Sequence, residues 1–418
     1  MKTPEPRHET GPCCRFCGTP LKESFCDLGA SPLANRYLKS SELCRMEPTY
    51  PLHAYLCTAC FLVQLEAFES PEAIFGDYAY FSSYSDSWLA HCKAFAEAAI
   101  KRLGLGPKSH VIEVASNDGY LLQYFRDRQV PVLGIEPAAN VAAVAVRNGI
   151  PSRVRFFGAA LARELAGEGQ RADLMIANNV LAHVPDLNDF VAGFTLALKD
   201  EGVLSVEFPH LLRLIALNQF DTIYHEHFSY FSLLTVEQVF AAHRLRVFDV
   251  EELPTHGGSL RIWACRASAA RATTSAVRRV KMLEEAAGLD RLETYRGFAR
   301  QAQEVKRRLL EFLIRTNDQG KHVAGYGAAA KGNTLLNYCG VRTDLLDYVV
   351  DRSPHKQGLY LPGTRIPILP PERVAQTRPD YLLILPWNIK DEVMTQMAHI
   401  RDWGGQFAVP VPRLEVLP

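Results

Sequence analysis

An excess of charge of either sign is missing from this chain: Lys and Arg number 46, and so do Asp and Glu, in 418 residues. Without a net field there is no bulk electrostatic hold on a nucleic acid or an anionic membrane. Long apolar runs are missing too. None approaches the ~20 residues that span a bilayer, and the opening Met1-Lys-Thr-Pro-Glu-Pro-Arg-His8 carries no apolar signal region, so a cytoplasmic location is expected. Internal repeats and low-complexity tracts are absent. Cysteine is scarce over most of the chain, and ten in all are too few for a disulfide scaffold, but seven fall within the first 60 residues, which predicts a bound metal. What remains is an ordinary globular composition, 48% hydrophobic and 22% charged, at a length that suggests two or three domains.

The metal reading rests on spacing. Cys14-x-x-Cys17-Gly18 and Cys57-x-x-Cys60 are two tight knuckles, each able to present two thiolates to one tetrahedral ion, and a four-cysteine set leaves no open position for chemistry. Structural zinc is expected, with Cys13, Cys26 and Cys44 spare. Zinc ribbons also bind nucleic acid, although this module has few aromatic and basic clusters. The following Gly76-Asp-Tyr-Ala-Tyr-Phe-Ser-Ser-Tyr84 is rich in rings and hydroxyls. Tyr78, Tyr80 and Tyr84 would share one face if extended, either lining a polar pocket or packing as a connector.

The chain is organised around Val111-Ile-Glu-Val-Ala-Ser-Asn-Asp-Gly-Tyr120. Val111 to Val114 read as a buried parallel strand, Ser116 to Asp118 as turn residues, Gly119 as a position of positive φ or close approach, and Tyr120 to Phe125 as the start of a helix. About 20 residues on, a second apolar run ends in Glu136, where a doubly wound fold places an acid on a ribose. A dinucleotide fingerprint needs three glycines, and only Gly119 is present here, beside Asn117 and Asp118; an anionic loop suits a cation. Glu113-Val-Ala-Ser-Asn-Asp-Gly119 resembles the Glu-x-Gly-x-x-x-Gly loop of class I S-adenosylmethionine methyltransferases, with Ala115 in place of the first glycine. The alternative is a plain α/β crossover with a polar turn. The resemblance makes Glu113, Ala115, Ser116, Asn117, Asp118, Gly119 and Glu136 cofactor-binding candidates, joined by Asn178 and Asn179 at the carboxyl end of the buried strand from Asp173.

His183 follows that strand end and is a further site candidate. The densest cluster of general-base candidates is Tyr224-His-Glu-His-Phe-Ser-Tyr230, where a neighbouring carboxylate can set a histidine's tautomer and basicity. His225 and His227 would share a face if extended, and a metal pair is the alternative to acid-base use. Arg246 to Val250 and Leu260 to Ala264 read as an antiparallel edge pair, and His256-Gly-Gly-Ser259 between them as a hairpin or a phosphate-approaching loop. After a helical stretch to about Thr316, Gly325-x-Gly327-x-x-Ala330 between strand and helix has the pyrophosphate-binding pattern, with Lys331 as a cation. Tyr326, Lys331, Asn333, Asp351, Trp387 and Asn388 are the substrate-binding candidates there. The same elements would fit an NAD(P)-dependent nucleotide-sugar oxidoreductase, which is the main rival.

Cys14-x-x-Cys17, Cys57-x-x-Cys60 with Val63-Gln-Leu65, Glu113 to Gly119, Ala177-Asn-Asn-Val-Leu-Ala-His183 and Tyr224-His-Glu-His227 stand together. In that order they are similar to the motifs of nucleotide-sugar C-methyltransferases of antibiotic deoxysugar pathways, over nearly the whole chain. The departures are Ala115 and Phe61, where glycines are usual. The resemblance implies an α/β protein of three parts: a zinc-binding domain (1–80), a class I Rossmann-like methyltransferase domain (81–270) and a second Rossmann-like domain that holds the nucleotide sugar (271–418). It implies S-adenosylmethionine and structural Zn2+ as cofactors and His227 as the base, with Tyr224, Glu226, His183 and Tyr78 around the reacting sugar. The implied substrate is a dTDP- or GDP-linked keto-deoxysugar methylated at the carbon alpha to the ketone, C3 in a 4-keto sugar. A monomer with no nucleic-acid or membrane partner is expected.

Overall fold

The computed structural model describes residues 11–70 and 86–418, with Asp86 and Ser87 described by backbone alone. Tyr78, Tyr80 and Tyr84 lie outside the described residues. Three sheets organise the rest.

The first sheet pairs Glu23–Ser31, Tyr50–Leu56 and Val63–Leu65 in antiparallel fashion, and its fourth strand is Ser229–Tyr230, delivered from far along the chain. Val63 stands opposite Tyr230 and Gln64 opposite Ser229. The strand directly after His227 is therefore an edge of the cysteine-bearing unit.

The second sheet runs Leu245–Leu253, Ser259–Arg266, Leu198–Pro209, Ala172–Asn178, Val111–Val114, Val132–Ile135, Ser152–Arg153. The last five are mutually parallel, and Ser259–Arg266 joins Leu198–Pro209 antiparallel, as the edge-pair reading expects. Val111–Val114 is buried at all four positions because helices cover both faces of a parallel sheet. The order reverses beside Val111–Val114, so its carboxyl end opens onto the crevice where doubly wound sheets hold ligands.

The third sheet has the order Ile368–Leu369, Val349–Val350, Val323–Tyr326, Tyr381–Ile384, Gln406–Val409, Glu415–Leu417, parallel except for the last strand. Its glycine-rich loop follows Val323–Tyr326 and leads into the helix Ala330–Cys339. Gly332 is needed there for close packing, since a Cβ would come within 2.9 Å of Leu385. The helix Phe298–Asp318 buries Phe298, Ala302, Val305, Leu309, Phe312 and Leu313 at three- and four-residue spacing. Phe298 stacks on Phe25 of the first sheet at 4.5 Å, so the first and third sheets share one core.

Candidate active site

The four predicted ligand cysteines converge. Cys14 and Cys60 lie 3.6 Å apart at sulfur, Cys17 and Cys57 3.5 Å, and Cys17 and Cys60 3.8 Å. A tetrahedral ion with Zn–S bonds of ~2.3 Å requires sulfurs about 3.8 Å apart, so the set fits zinc. Without an ion, Cys14 and Cys60 share one proton: the hydrogen bond between them lowers Cys14 and raises Cys60, and the Gln64 amide also lowers Cys14. Cys13 and Cys44 are exposed and Cys26 is buried in the core, and the set of four is the candidate metal cluster among the described residues. Arg15, inside the first knuckle, donates to the Pro185 carbonyl at 2.8 Å, and Asn188 donates to the Phe16 carbonyl at 2.9 Å. The knuckle thereby sits against the loop that carries His183.

The cofactor loop runs from Ala115 to Gly119 with left-handed backbone at Ala115 (φ 57°), Asn117 (49°) and Gly119 (82°). Such alternation turns successive N–H groups toward one side. Helix proper begins at Leu122, two residues later than the sequence suggests, because Tyr120 and Leu121 still belong to the turn. Glu136, just past Val132–Ile135, accepts from the Asn117 N–H (2.9 Å) and the Ala138 N–H (2.8 Å), which locks the acid to the loop. Burial pushes Glu113 well above the usual carboxylate range, and Glu136 and Asp118 beside it add to the shift. Burial likewise raises Glu136. Three crowded acids suit a ligand that brings positive charge and hydroxyl donors. Ser116 Oγ, Asn178 Oδ1 and Asn179 Oδ1 are buried around the same strand ends without a hydrogen-bond partner among the described residues. These features fit S-adenosylmethionine.

The cluster Tyr224 to His227 is a β-turn closed by the His227 N–H on the Tyr224 carbonyl at 2.8 Å. It is not extended, so the two histidines diverge. His225 donates from Nε2 to the Pro51 carbonyl at 3.2 Å and packs against Tyr50 and Phe68. His227 donates from Nδ1 to the Thr222 carbonyl at 2.9 Å. A carbonyl can only accept, so this bond fixes the tautomer and leaves Nε2 as the acceptor nitrogen. The tautomer is therefore set by backbone and not by the neighbouring carboxylate. Tyr224 lies over the ring at 4.0 Å and His183 meets its edge at 4.7 Å. Desolvation holds His227 well below the ordinary imidazole value and His183 at about 4, so both are neutral near pH 7. Tyr224, His227 and His183 each keep part of their surface open, and Glu226 beside them is nearly fully buried. Burial pushes Glu226 up to about 7, and the Asn35 amide, 2.8 Å from its Oε1, opposes the shift.

Lys331 reaches the same crevice from the third sheet. It donates to Asn388 Oδ1 at 2.9 Å and lies 4.5 Å over the Trp387 ring. Trp387 in turn donates to Asp221 at 2.7 Å. Desolvation lowers Lys331 to about 8 and raises Asp221 to about 6, each offset by the other's charge. Three residues past Lys331, Thr334 donates to the Ile223 carbonyl at 3.3 Å, which packs the helix that carries Lys331 against the turn that carries His227. The hairpin tip His256 to Gly258 closes this side: Gly257 has φ 89°, and a Cβ there would lie 2.5 Å from the Trp387 ring. The other candidates of this region are engaged elsewhere. Tyr326 donates to Gln396 at 2.7 Å, Asn333 donates to the Ala34 carbonyl at 2.5 Å, and Asp351 accepts from the N–H groups of Ala328 and Ser353, both at 2.8 Å, tying the glycine-rich loop shut. Asp221 and Asn35 escaped the sequence reading. Asp221 stands only three positions before Tyr224, but nothing local marks its partner Trp387, 166 residues on.

Comparison with known proteins matches three family models in order: "Putative zinc binding domain" over residues 14–75, "Methyltransferase domain" over 88–249 and "C-methyltransferase C-terminal domain" over 254–412. The chain is similar to C-methyltransferase NovU of Streptomyces niveus, with 36% identity over 97% of this chain and 96% of that one. Among solved structures it has a likeness to magnesium protoporphyrin IX methyltransferase (ChlM) from Synechocystis PCC 6803 with bound SAH. There the identity is 15%, the coverage 47% of this chain and 92% of that chain, and the TM-score 0.35. A S-adenosylmethionine-dependent methyltransferase from Clostridium acetobutylicum ATCC 824 gives 9%, 42%, 90% and 0.33. No described helix is long and apolar enough to cross a membrane.

Proposed function

This chain belongs to the S-adenosylmethionine-dependent C-methyltransferases that carry a zinc-binding domain, and from that premise we propose that it methylates a keto-deoxysugar carried on a nucleoside diphosphate. The proposed acceptor is a dTDP-linked 4-keto sugar and the proposed site is C3, alpha to the ketone; a GDP-linked sugar is the other nucleotide form. We assign residues 1–80, 81–270 and 271–418 to zinc binding, methyl transfer and nucleotide-sugar binding, and place the reaction in the cytoplasm.

The observation that carries this reading is the neutral His227, with Nδ1 committed to the Thr222 carbonyl and Nε2 left to accept a proton. A ketone acidifies the adjacent C–H. His227 Nε2 takes that proton, the electron pair passes into the carbonyl as an enolate, and the imidazolium later returns the proton to solvent. Bound S-adenosylmethionine supplies an electrophilic methyl group on a sulfonium. The new bond joins this methyl to the sugar carbon, and the bond that breaks is the one to sulfur. Tyr224 and His183 hold the His227 ring between them, and Glu226 serves the enolate oxygen. Lys331, with Asn388 and Trp387, takes the diphosphate end across the crevice.

The test is turnover of a dTDP-4-keto-deoxysugar by His227→Asn. Positioned acid-base catalysis is worth typically about a hundred- to ten-thousand-fold, so kcat should fall by that order while calorimetry finds S-adenosylmethionine affinity unchanged. Methylation at close to the wild-type rate would remove His227 from the chemistry.

A further inference from the structure

The segment of the first unit around Pro32 to Leu38 reaches the catalytic crevice, and it does so from both sides of one residue. Before Asn35, the Ala34 carbonyl accepts from Asn333 at 2.5 Å. After it, the Tyr37 hydroxyl donates to the Ala328 carbonyl of the glycine-rich loop at 2.6 Å, and Leu38 exchanges two backbone hydrogen bonds with Tyr360, both at 2.9 Å. Asn35 is thus carried on a backbone pinned to the third sheet's unit. From there its amide donates to Glu226 Oε1 at 2.8 Å. The side chain of Glu226 is buried, and among the described residues this hydrogen bond holds its carboxyl group.

We infer that Asn35 is a positioning residue for methyl transfer: it fixes the rotation of the Glu226 carboxyl by occupying Oε1, so that Oε2 is the oxygen presented to the reacting sugar. The inference rests on the role given to Glu226 above. A carboxyl in a buried site with one oxygen tied and one committed to a reacting atom loses no rotational freedom when the enolate forms, which is the preorganisation such a site needs. Asn35 itself is exposed, so its amide pays little desolvation for this bond. The arrangement also gives the zinc-bearing unit a part in the reaction that its closed metal site does not have.

Steady-state kinetics with the full chain, S-adenosylmethionine and the keto-sugar test this. Asn35→Ala should lower kcat about two- to tenfold, the range for a hydrogen bond between neutral groups, since Glu226 acts in its protonated form, with the KM of both substrates changed less than about twofold. Asn35→Asp keeps the shape and loses the donor, so its loss should be at least as large as that of Asn35→Ala. In the Asn35→Ala/Glu226→Ala double variant kcat should equal that of Glu226→Ala alone, because the asparagine acts only through the acid. Melting temperature and zinc content report whether each variant is folded. A wild-type rate for Asn35→Asp, or losses that multiply in the double variant, would overturn the inference. If Glu226→Ala alone keeps full turnover, both Asn35 and Glu226 lose their roles while the His227 reading stands on its own variant.

Discussion

At the scale of single residues, the site is governed by which groups are neutral. Desolvation keeps His227 and His183 uncharged across the neutral range, so neither can produce a decline in rate near the ordinary imidazole value. Glu226, pushed up to about 7, and Asp221, raised to about 6, are the groups that change charge there, and Glu226 is the one beside the base. As a donor to an enolate oxygen it must be protonated, and protonation is lost as pH rises through 7. The expected kcat/KM for the keto-sugar is therefore at its plateau below about pH 6, about half of that at pH 7, and lower still toward pH 8, where Lys331, lowered to about 8, also begins to lose its charge. Glu226→Gln carries a permanent N–H donor and should abolish the fall centred near 7, leaving the one near 8. An acid limb near 6.5 that persists when Asp221→Asn is added to that variant would mean that His227 titrates as though in water, and the neutral-base argument would go with it.

At the scale of elements, the two departures from glycine have one explanation. Ala115 and Phe61 stand where glycines are usual in similar loops, and both have left-handed backbone, with φ of 57° and 59°. The loop geometry is retained and the Cβ is tolerated. Phe61 recovers part of the strain by stacking on Tyr295 at 6.0 Å. A left-handed alanine costs roughly 1–2 kcal/mol, of which a glycine returns part as unfolded-chain entropy. Ala115→Gly should therefore bind S-adenosylmethionine within about twofold of wild type and melt no lower. Gly119 differs, because a Cβ there meets left-handed strain and Ile150 at 2.8 Å together. Gly119→Ala should weaken S-adenosylmethionine at least about tenfold by calorimetry, with the loop displaced. Undiminished binding would mean that the loop backbone does not hold the cofactor.

At the scale of the whole molecule, what was legible in the sequence follows from distance along the chain. The cysteine knuckles, the strand-loop-helix around Gly119 and the edge pair Leu245–Leu253 with Ser259–Arg266 are written in local spacing and alternation, and they form as expected apart from the later helix start at Leu122. The partners of Glu226, Trp387 and Asn333 are not, since each lies more than 100 residues away and no local pattern announces it. The same holds for the pairing of Gln64 with Ser229, and that pairing joins metal to mechanism. Gln64 Nε2 donates to Cys14 Sγ at 3.2 Å, its Oε1 accepts from the Arg15 N–H at 2.9 Å, and its backbone belongs to the strand that holds Ser229–Tyr230 two residues past His227. Phe228 is held on both sides, by the Leu65 N–H on its carbonyl and by its own N–H on the Ala182 carbonyl beside His183. Zinc thus braces the edge against which the catalytic turn is built, whereas the cofactor loop belongs to a different sheet. Metal analysis should find about one zinc per chain. Removing it with a chelator should lower the melting temperature by about 10 °C or more, since a structural zinc site contributes folding free energy directly. At 25 °C the stripped protein should still bind S-adenosylmethionine, because Glu136 and the Ala115 to Gly119 loop keep their own supports, but methyl transfer should fall more than about tenfold and return when zinc is restored. Loss of cofactor binding in step with methyl transfer would mean that zinc holds up the whole chain and not this edge, and an unchanged melting temperature would remove the metal from the fold altogether.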